Sequence, residues 1–475
     1  MAEDASTTLR VGLYRPIPGI DPSTTGGELT LSIFEGLTRL DSNAQLQPSL
    51  ATEWKRKDDL TWEFKLREGV QFSDGTPLDA RAVADYITLL TAEKSTLSTS
   101  GRWRPLLAGT KVVDPTTIQV ITKFPYLGLP DRFTTLYIGR QVATDGDLAR
   151  RWVGTGPYVL DRVDLENGAS AFRNETYWGT RPAWKTLKYS VFPTEEARLL
   201  ALHAHELDMV VQIDPKTISQ IANDDHYRTG SKASTWNIVL RIKENEGKPL
   251  SDLRVRQALN YGIDKEAIIR GLFNGSVEPS PGQFLVKGWD ELNPDLKAFP
   301  YDPEKAKALL AEAGYGKGLR LRLDVPTGSY LAVGPASQVI AAQLSKIGVT
   351  IEINTLPFPA WVDLTRKPDG DLVYIGHSPA YRFTPERFTQ FKSTYDQSHW
   401  IDPAFDAAAD KALAAQTPED LKKATNEATQ IFHDNLHAVF LYPQPVTWAV
   451  RSDIDWEPRI DQSILPQFAR PKTGQ

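Results

Sequence analysis

Nowhere in its 475 residues does the chain break into a low-complexity stretch or a Pro/Gly/Ser linker, and it carries no tandem repeat. That continuity is the tightest constraint on its fold. A single hydrophobic core stops growing at roughly 250–300 residues, so a chain of this length has to build at least two compact bodies. Without a linker those bodies are not beads on a string; chain segments have to cross between them. With 41% hydrophobic and 24% charged residues the composition is that of a soluble globular protein. The apolar stretches are short and broken by charge, so none spans a membrane.

Charge and residue usage narrow the chemistry. The net charge of −6, with no Lys/Arg run, argues against a nucleic-acid partner, which needs a basic face. The absence of cysteine excludes disulfides, thiolate metal sites and cysteine nucleophiles. Neither a G-x-S-x-G turn nor a P-loop is present. His203 and His205 at i, i+2 point to different faces of a helix end, and His433 and His437 at i, i+4 lack the HExxH pattern of zinc proteases. Both pairs therefore read as structural histidines rather than metal ligands. Carboxylates are plentiful but scattered, and spacing alone identifies no catalytic pair. No catalytic constellation is thus legible, and neither enzymatic activity nor a resident cofactor is expected. A hydrolase on a two-lobed α/β scaffold is the alternative from another class, separated by whether a bound ligand is turned over. Twelve Trp and sixteen Tyr suit walls that sandwich a ligand, although any single aromatic more often fills a core. Met1–Ser6 lacks the basic and apolar regions of a signal peptide; it fits a cytoplasmic start or a processed mature start equally well.

The periodicity alternates between strand and helix. Leu9–Tyr14 predicts a first strand, 29–38 a helix with Leu29, Ile33, Phe34 and Leu37 on one face, and Trp62–Leu66 a half-buried strand. Asp79 caps a predicted helix over Ala80–Leu90, and Thr117–Thr122 is a strand. Gly154–Tyr158 is a turn opening another strand, Thr194–His205 a helix and Asp208–Gln212 a strand. After a polar loop at Glu244–Pro249 a second α/β pattern begins. Its helices are Asp252–Ile263, Lys265–Leu272, Pro303–Ala313 and Ala336–Leu344; its strands are Leu319–Val325, Val349–Asn354 and Leu372–Ile375. A helix over Pro418–Leu436 leads to an apolar segment at Ala438–Tyr442.

Several segments carry a resemblance. Ile33-Phe34-Glu35-Gly36-Leu37 with Leu50–Trp54, the run from Phe64 to Leu78, Gly154-Thr155-Gly156-Pro157-Tyr158, Tyr177-Trp178-Gly179, Asp252–Leu259 with Ile263-Asp264, and Tyr301–Ala306 before Gly314-Tyr315 are collinear over most of the chain. Together they resemble the large solute-binding proteins of peptide- and nickel-type ABC importers (extracellular solute-binding protein family 5). The resemblance implies an α/β, two-lobed periplasmic-binding-protein fold of the cluster C type, with hinge crossings and an extra subdomain in lobe one. Residues 1–42, 165–238 and 442–475 would form lobe one, 43–164 its extra subdomain, and 239–441 lobe two. The crossings fall near Trp236–Val239 and Phe440–Pro443. It also implies a periplasmic location, membrane permease subunits as partners, a small-molecule ligand and a monomer that closes on it.

The candidate ligand-binding residues follow from the same resemblance. Peptide-binding relatives carry an acidic anchor for the peptide ammonium on a lobe-two loop; the matching loop, Gly376–Phe388, offers His377, Tyr381, Arg382 and Arg387, with Glu386 only after Pro385. Arg140 lies where nickel-chelate-binding relatives hold chelator carboxylates, and Arg102, Trp103 and Arg104 lie where they line the cleft. An arginine fork suits a carboxylate because it donates two parallel hydrogen bonds. Trp236 and Asn237 at the first crossing, and Tyr14 at the end of the first strand, complete the set. The expected ligand is a small anionic polycarboxylate or a chelate carrying a metal ion, with no metal bound directly by the protein. An oligopeptide or an opine- or sugar-type conjugate is the alternative within the class.

Overall fold

In the computed structural model, which describes residues 7–24, 27–142, 152–285, 292–377 and 382–472, one ten-stranded mixed sheet runs through the molecule. Its order is Tyr158–Asp164, Gly168–Arg173, Thr186–Val191, Thr8–Leu13, Met209–Val211, Ala438–Arg451, Tyr227–Ile242, Leu372–His377, Leu319–Pro326 and Val349–Leu356. The two long central strands, Tyr227–Ile242 and Ala438–Arg451, pair antiparallel, and their ladder is interrupted between Ala233 and Asn237. Ser234 donates to the Gln444 carbonyl at 2.6 Å inside that interruption.

On one side of the break the strands enter a large core and a smaller one, around Leu202, Val210, Ile221, Tyr227 and Ala449, and on the other side two more. The first core gathers Leu9, Val11, Phe64, Tyr158, Leu187, Met209, Trp448 and Val450. A second is built on Ile238, Leu240 and Ile242 with the helices Leu253–Gly262, Lys265–Phe273, Pro303–Glu312 and Val333–Ser345. A third, on the opposite face of the same strand through Val239, packs the helices Pro403–Leu413 and Pro418–Asn435. Side chains alternate across a strand, so one strand serves two layers. The result is two α/β lobes joined by crossing strands.

The first lobe carries an added four-stranded antiparallel sheet, ordered Ala51–Arg56, Thr61–Leu66, Thr117–Thr122 and Leu107–Asp114. In its second strand Trp62, Phe64 and Leu66 turn inward while the residues between them are only partly buried, a period-2 pattern. The helix Ala80–Thr91 covers it with Val83, Ala84, Ile87 and Leu90, and Asp79 accepts from the Ala82 N–H at 2.9 Å as its N-cap.

The structure corrects three local expectations. The first helix is Glu28–Ile33, not 29–38: Phe34 is extended and Glu35-Gly36 pairs as a short strand with Tyr137-Ile138. Glu35 is drawn out of the helix by three donors, Thr155 Oγ1 at 2.9 Å, Tyr177 Oη at 2.8 Å and Trp178 Nε1 at 2.7 Å. Gly154 and Gly156 permit that meeting, because a Cβ at either would sit within 2.6 Å of the Ile33 carbonyl oxygen. The helix from Glu195 ends at His203, and His205 follows in a left-handed conformation (φ 55°). The last long helix ends at Asn435, with Leu436 left-handed, so His437 leaves the helix and does not share a face with His433. Among the described residues no helix is long and apolar enough to cross a membrane.

Candidate functional site

The strand Leu372–His377 ends beside the break in the long ladder, and this brings several of the expected residues together. His377 pairs with Asn237 across the two strands. Asn237 is fully buried and donates through Nδ2 to the Gln283 carbonyl at 2.8 Å, while its Oδ1 accepts no hydrogen bond among the described residues. Arg387 is buried and donates to the His377 carbonyl at 3.5 Å, and it borders a small cavity with Gln283, Thr384 and Phe432.

A further cation stands behind this wall. Arg241 is buried in the third core, beside the rings of Phe391, Trp400 and Tyr395 at 5.2, 5.9 and 6.0 Å. It donates to the Gln397 carbonyl at 3.3 Å and approaches His377 Nε2 at 3.3 Å. No carboxylate among the described residues lies within ion-pair distance of it. Burial pulls the guanidinium down to about 10. Burial, then Arg241, then Arg387, hold His377 well below the ordinary imidazole range. A neutral ring accepting at Nε2 carries its proton on Nδ1. Arg241 and Arg387 thus place positive charge beside His377, and the neutral ring adds none.

Arg382, also buried, precedes Phe383, whose ring packs against Gly128 of the first lobe; a Cβ at Gly128 would lie 2.2 Å from the Phe383 ring. Tyr126 meets the same ring edge-on at 5.0 Å. Glu386 is bound by Arg132 of the first lobe in a largely buried ion pair. Arg132 also lies over the Trp103 ring at 5.0 Å and donates to the Arg102 carbonyl at 3.3 Å. Trp103 is buried and stacks on Phe133 at 5.7 Å, Arg102 is exposed, and Arg104 is half-buried with its guanidinium on Ser100 Oγ at 2.7 Å. The 102–104 segment thus reaches the lobe-two loop through Arg132, which the sequence reading had not singled out.

The remaining candidates make contacts of their own. Arg140 is ion-paired with Asp74 at 2.5 Å, with 42% of its side chain exposed. Tyr14 is half-buried under the Arg15 guanidinium at 5.3 Å, and burial raises its hydroxyl above the ordinary value. Trp236 is half-buried at 6.3 Å from Tyr330. Tyr381 lies outside the described residues. Arg241 did leave a trace in the sequence: Val239-Leu240-Arg241-Ile242 places a charge inside an otherwise apolar strand.

No cluster of three or more His, Asp or Glu among the described residues is arranged to hold a metal ion. The sequence motifs resolve into structure rather than chemistry. Ile33–Leu37, Gly154–Tyr158 and Tyr177–Gly179 converge on Glu35. In the 252–259 segment, Asp252 caps its helix while Arg256 donates to the carbonyls of Leu250, Ser251 and Asn435.

Comparison with known proteins agrees with this architecture. The family model of the bacterial extracellular solute-binding proteins, family 5 (middle), matches residues 45–399. The nickel-binding periplasmic protein of Escherichia coli (strain K12) is 27% identical over 349 residues, covering 68% of this chain and 65% of that protein, just under two thirds of its length. Di/tripeptide-binding protein 2 of Pseudomonas aeruginosa (strain UCBPP-PA14) is 26% identical over 435 residues, covering 83% of this chain and 80% of that one. NikA of Brucella suis, solved in complex with Fe(III)-EDTA, superposes with a TM-score of 0.86 at 21% identity, covering 98% of this chain and 100% of that one.

Proposed function

The chain belongs to the bacterial extracellular solute-binding proteins, family 5, and from that membership we propose that it is the periplasmic receptor of an ABC importer, capturing a small anionic polycarboxylate or a metal chelate of one. The ligand is held between the two lobes, which close on it, and the closed receptor delivers it to membrane permease subunits. Residues 43–164 act as the extra subdomain of lobe one and 239–441 as lobe two. The receptor works as a monomer, and any metal rides inside the ligand.

One observation carries the ligand class. On the described part of the lobe-two loop the sole carboxylate, Glu386, is taken by Arg132, while Arg382 and Arg387 flank it and Arg241 stands behind His377. A peptide ammonium enclosed there would meet the like charge of these arginines, and the carboxylate on the described part of the loop already holds Arg132, a mismatch that costs several kcal/mol. An anion would gain from the same field, and guanidinium forks match carboxylates in geometry. Arg140 adds a contact from the first lobe by exchanging its exposed partner Asp74 for ligand. Nickel binding by one relative and Fe(III)-EDTA in another are in keeping with this reading. Longer coverage by a di/tripeptide-binding relative favours the peptide alternative instead.

Native mass spectrometry of the protein as isolated, with metal analysis, tests the reading. A bound polycarboxylate, or its metal complex, released unchanged after incubation is the expected result. A co-purifying peptide would overturn the ligand class, and a ligand converted during incubation would restore the hydrolase.

A further inference from the structure

The two lobes meet at a contact made by protein side chains. Phe383 is carried by lobe two but belongs by packing to the first lobe's core, together with Ala415 and Leu421 from the same lobe. Its ring lies on the bare face of Gly128 and against Tyr126. Three residues on, Glu386 receives Arg132; the two side chains are 7% and 14% exposed. Arg132 is held ready by the Trp103 ring beneath it and by the Arg102 carbonyl. Nearby, Arg56 of the added sheet donates to the Gln416 carbonyl at 2.9 Å.

We propose that Arg132, Glu386 and Phe383 seated on Gly128 form a ligand-independent clasp that sets the open–closed balance of the two lobes and positions the arginine loop. Opening would return both charges to water, and for a buried pair Coulomb attraction and desolvation nearly cancel. It would also expose Phe383, which favours the closed state. The sum is a modest closed-state bias rather than a lock. Arg382 immediately precedes Phe383 and Arg387 immediately follows Glu386, so the clasp fixes both ends of the segment that presents these arginines. Apparent affinity then scales with the fraction of molecules already in the binding-competent arrangement. These are positioning residues: they act on the ligand through the loop and the lobe geometry.

This inference rests on the reading of two lobes that close, but its test needs no ligand and so stands or falls apart from the ligand class. The chain has no cysteine, so spin labels can be placed at will. Lys111→Cys and Lys423→Cys put one on an exposed position of each lobe. Pulsed dipolar spectroscopy on the ligand-free full chain should resolve a short and a long distance. Glu386→Gln and Phe383→Ala should each lower the short-to-long ratio by about five-fold or more, the scale of a small population bias. The charge swap Arg132→Glu with Glu386→Arg should restore it. Phe383→Ala leaves every charge in place and carries the test if a charge variant does not fold. Identical distance distributions in the parent and the variants would overturn the clasp.

Discussion

Arg140 and Asp74 form the ion pair on which a single side chain's role can be separated from its contribution to stability. With 42% of the arginine exposed, the pair contributes about 0–1 kcal/mol to folding. Arg140→Ala should therefore leave the melting temperature of the ligand-free protein nearly unchanged. If Arg140 exchanges Asp74 for a ligand carboxylate, the same variant should weaken binding of citrate or an EDTA chelate, by about 2–5 kcal/mol where the new pair is enclosed and by less where it stays open to water. A variant that unfolds yet keeps its affinity would make Arg140 structural. The side chains of the loop after Leu372–His377 were singled out through the family resemblance, which marks the matching loop, rather than from the periodicity. Arg132 and Glu386 were not legible as partners: they are 254 residues apart, and nothing local marks their meeting.

Among the elements, the end of the helix Pro418–Asn435 shows a charge network with a definite pH signature. Leu436 reverses the chain, and His437 places Nδ1 at 2.5 Å from Glu244 and Nε2 at 2.8 Å from Asp402. Arg256 pairs with Glu244 at 3.0 Å and Asn435 donates to Asp402 at 2.7 Å. Burial opposes the charge on His437, but the hydrogen bonds to Asp402 and Glu244 outweigh it and raise the imidazole above its ordinary value. Burial likewise opposes the Asp402 carboxylate, yet His437, the Phe405 N–H and Asn435 bring it down to about 2. A raised histidine contributes stability that is complete below its unfolded value, about 6.5, and is lost as pH rises through the folded value. The depressed aspartate contributes above about 3.9 and loses its contribution as pH falls toward 2. Urea unfolding should thus show stability declining from pH 6 toward alkaline pH, and His437→Gln should be less stable at pH 6 and flatter over that range. An equal slope in parent and variant would remove His437 from the account. Elements with a cap and a clear period, such as Asp79 before Ala80–Thr91, were legible. The first half of Tyr227–Ile242 was not, since Arg228 to Thr235 is largely polar; its strand conformation was settled by tertiary pairing with Ala438–Arg451.

For the whole molecule, the two long strands cross between the lobes and their ladder breaks between Ala233 and Asn237, the point about which the lobes move in the proposed function. Two lobes could be expected from length and continuity alone, and the family resemblance supplied the crossings. What sequence could not supply is that Glu386, the carboxylate on the described part of the lobe-two loop, is engaged by Arg132, because the two meet only through the fold. Small-angle scattering should show a smaller radius of gyration when a polycarboxylate chelate is bound; an unchanged radius with binding independently established would argue against closure. The central claim is that this receptor takes carboxylate-rich anions in preference to peptides. Titration calorimetry compares them directly: citrate and EDTA, each with and without Ni(II), against a set of dipeptides and tripeptides. Micromolar or tighter binding of at least one polycarboxylate, with weaker binding of every simple peptide, is the predicted result. Micromolar binding of peptides, with no response to any polycarboxylate, would contradict it.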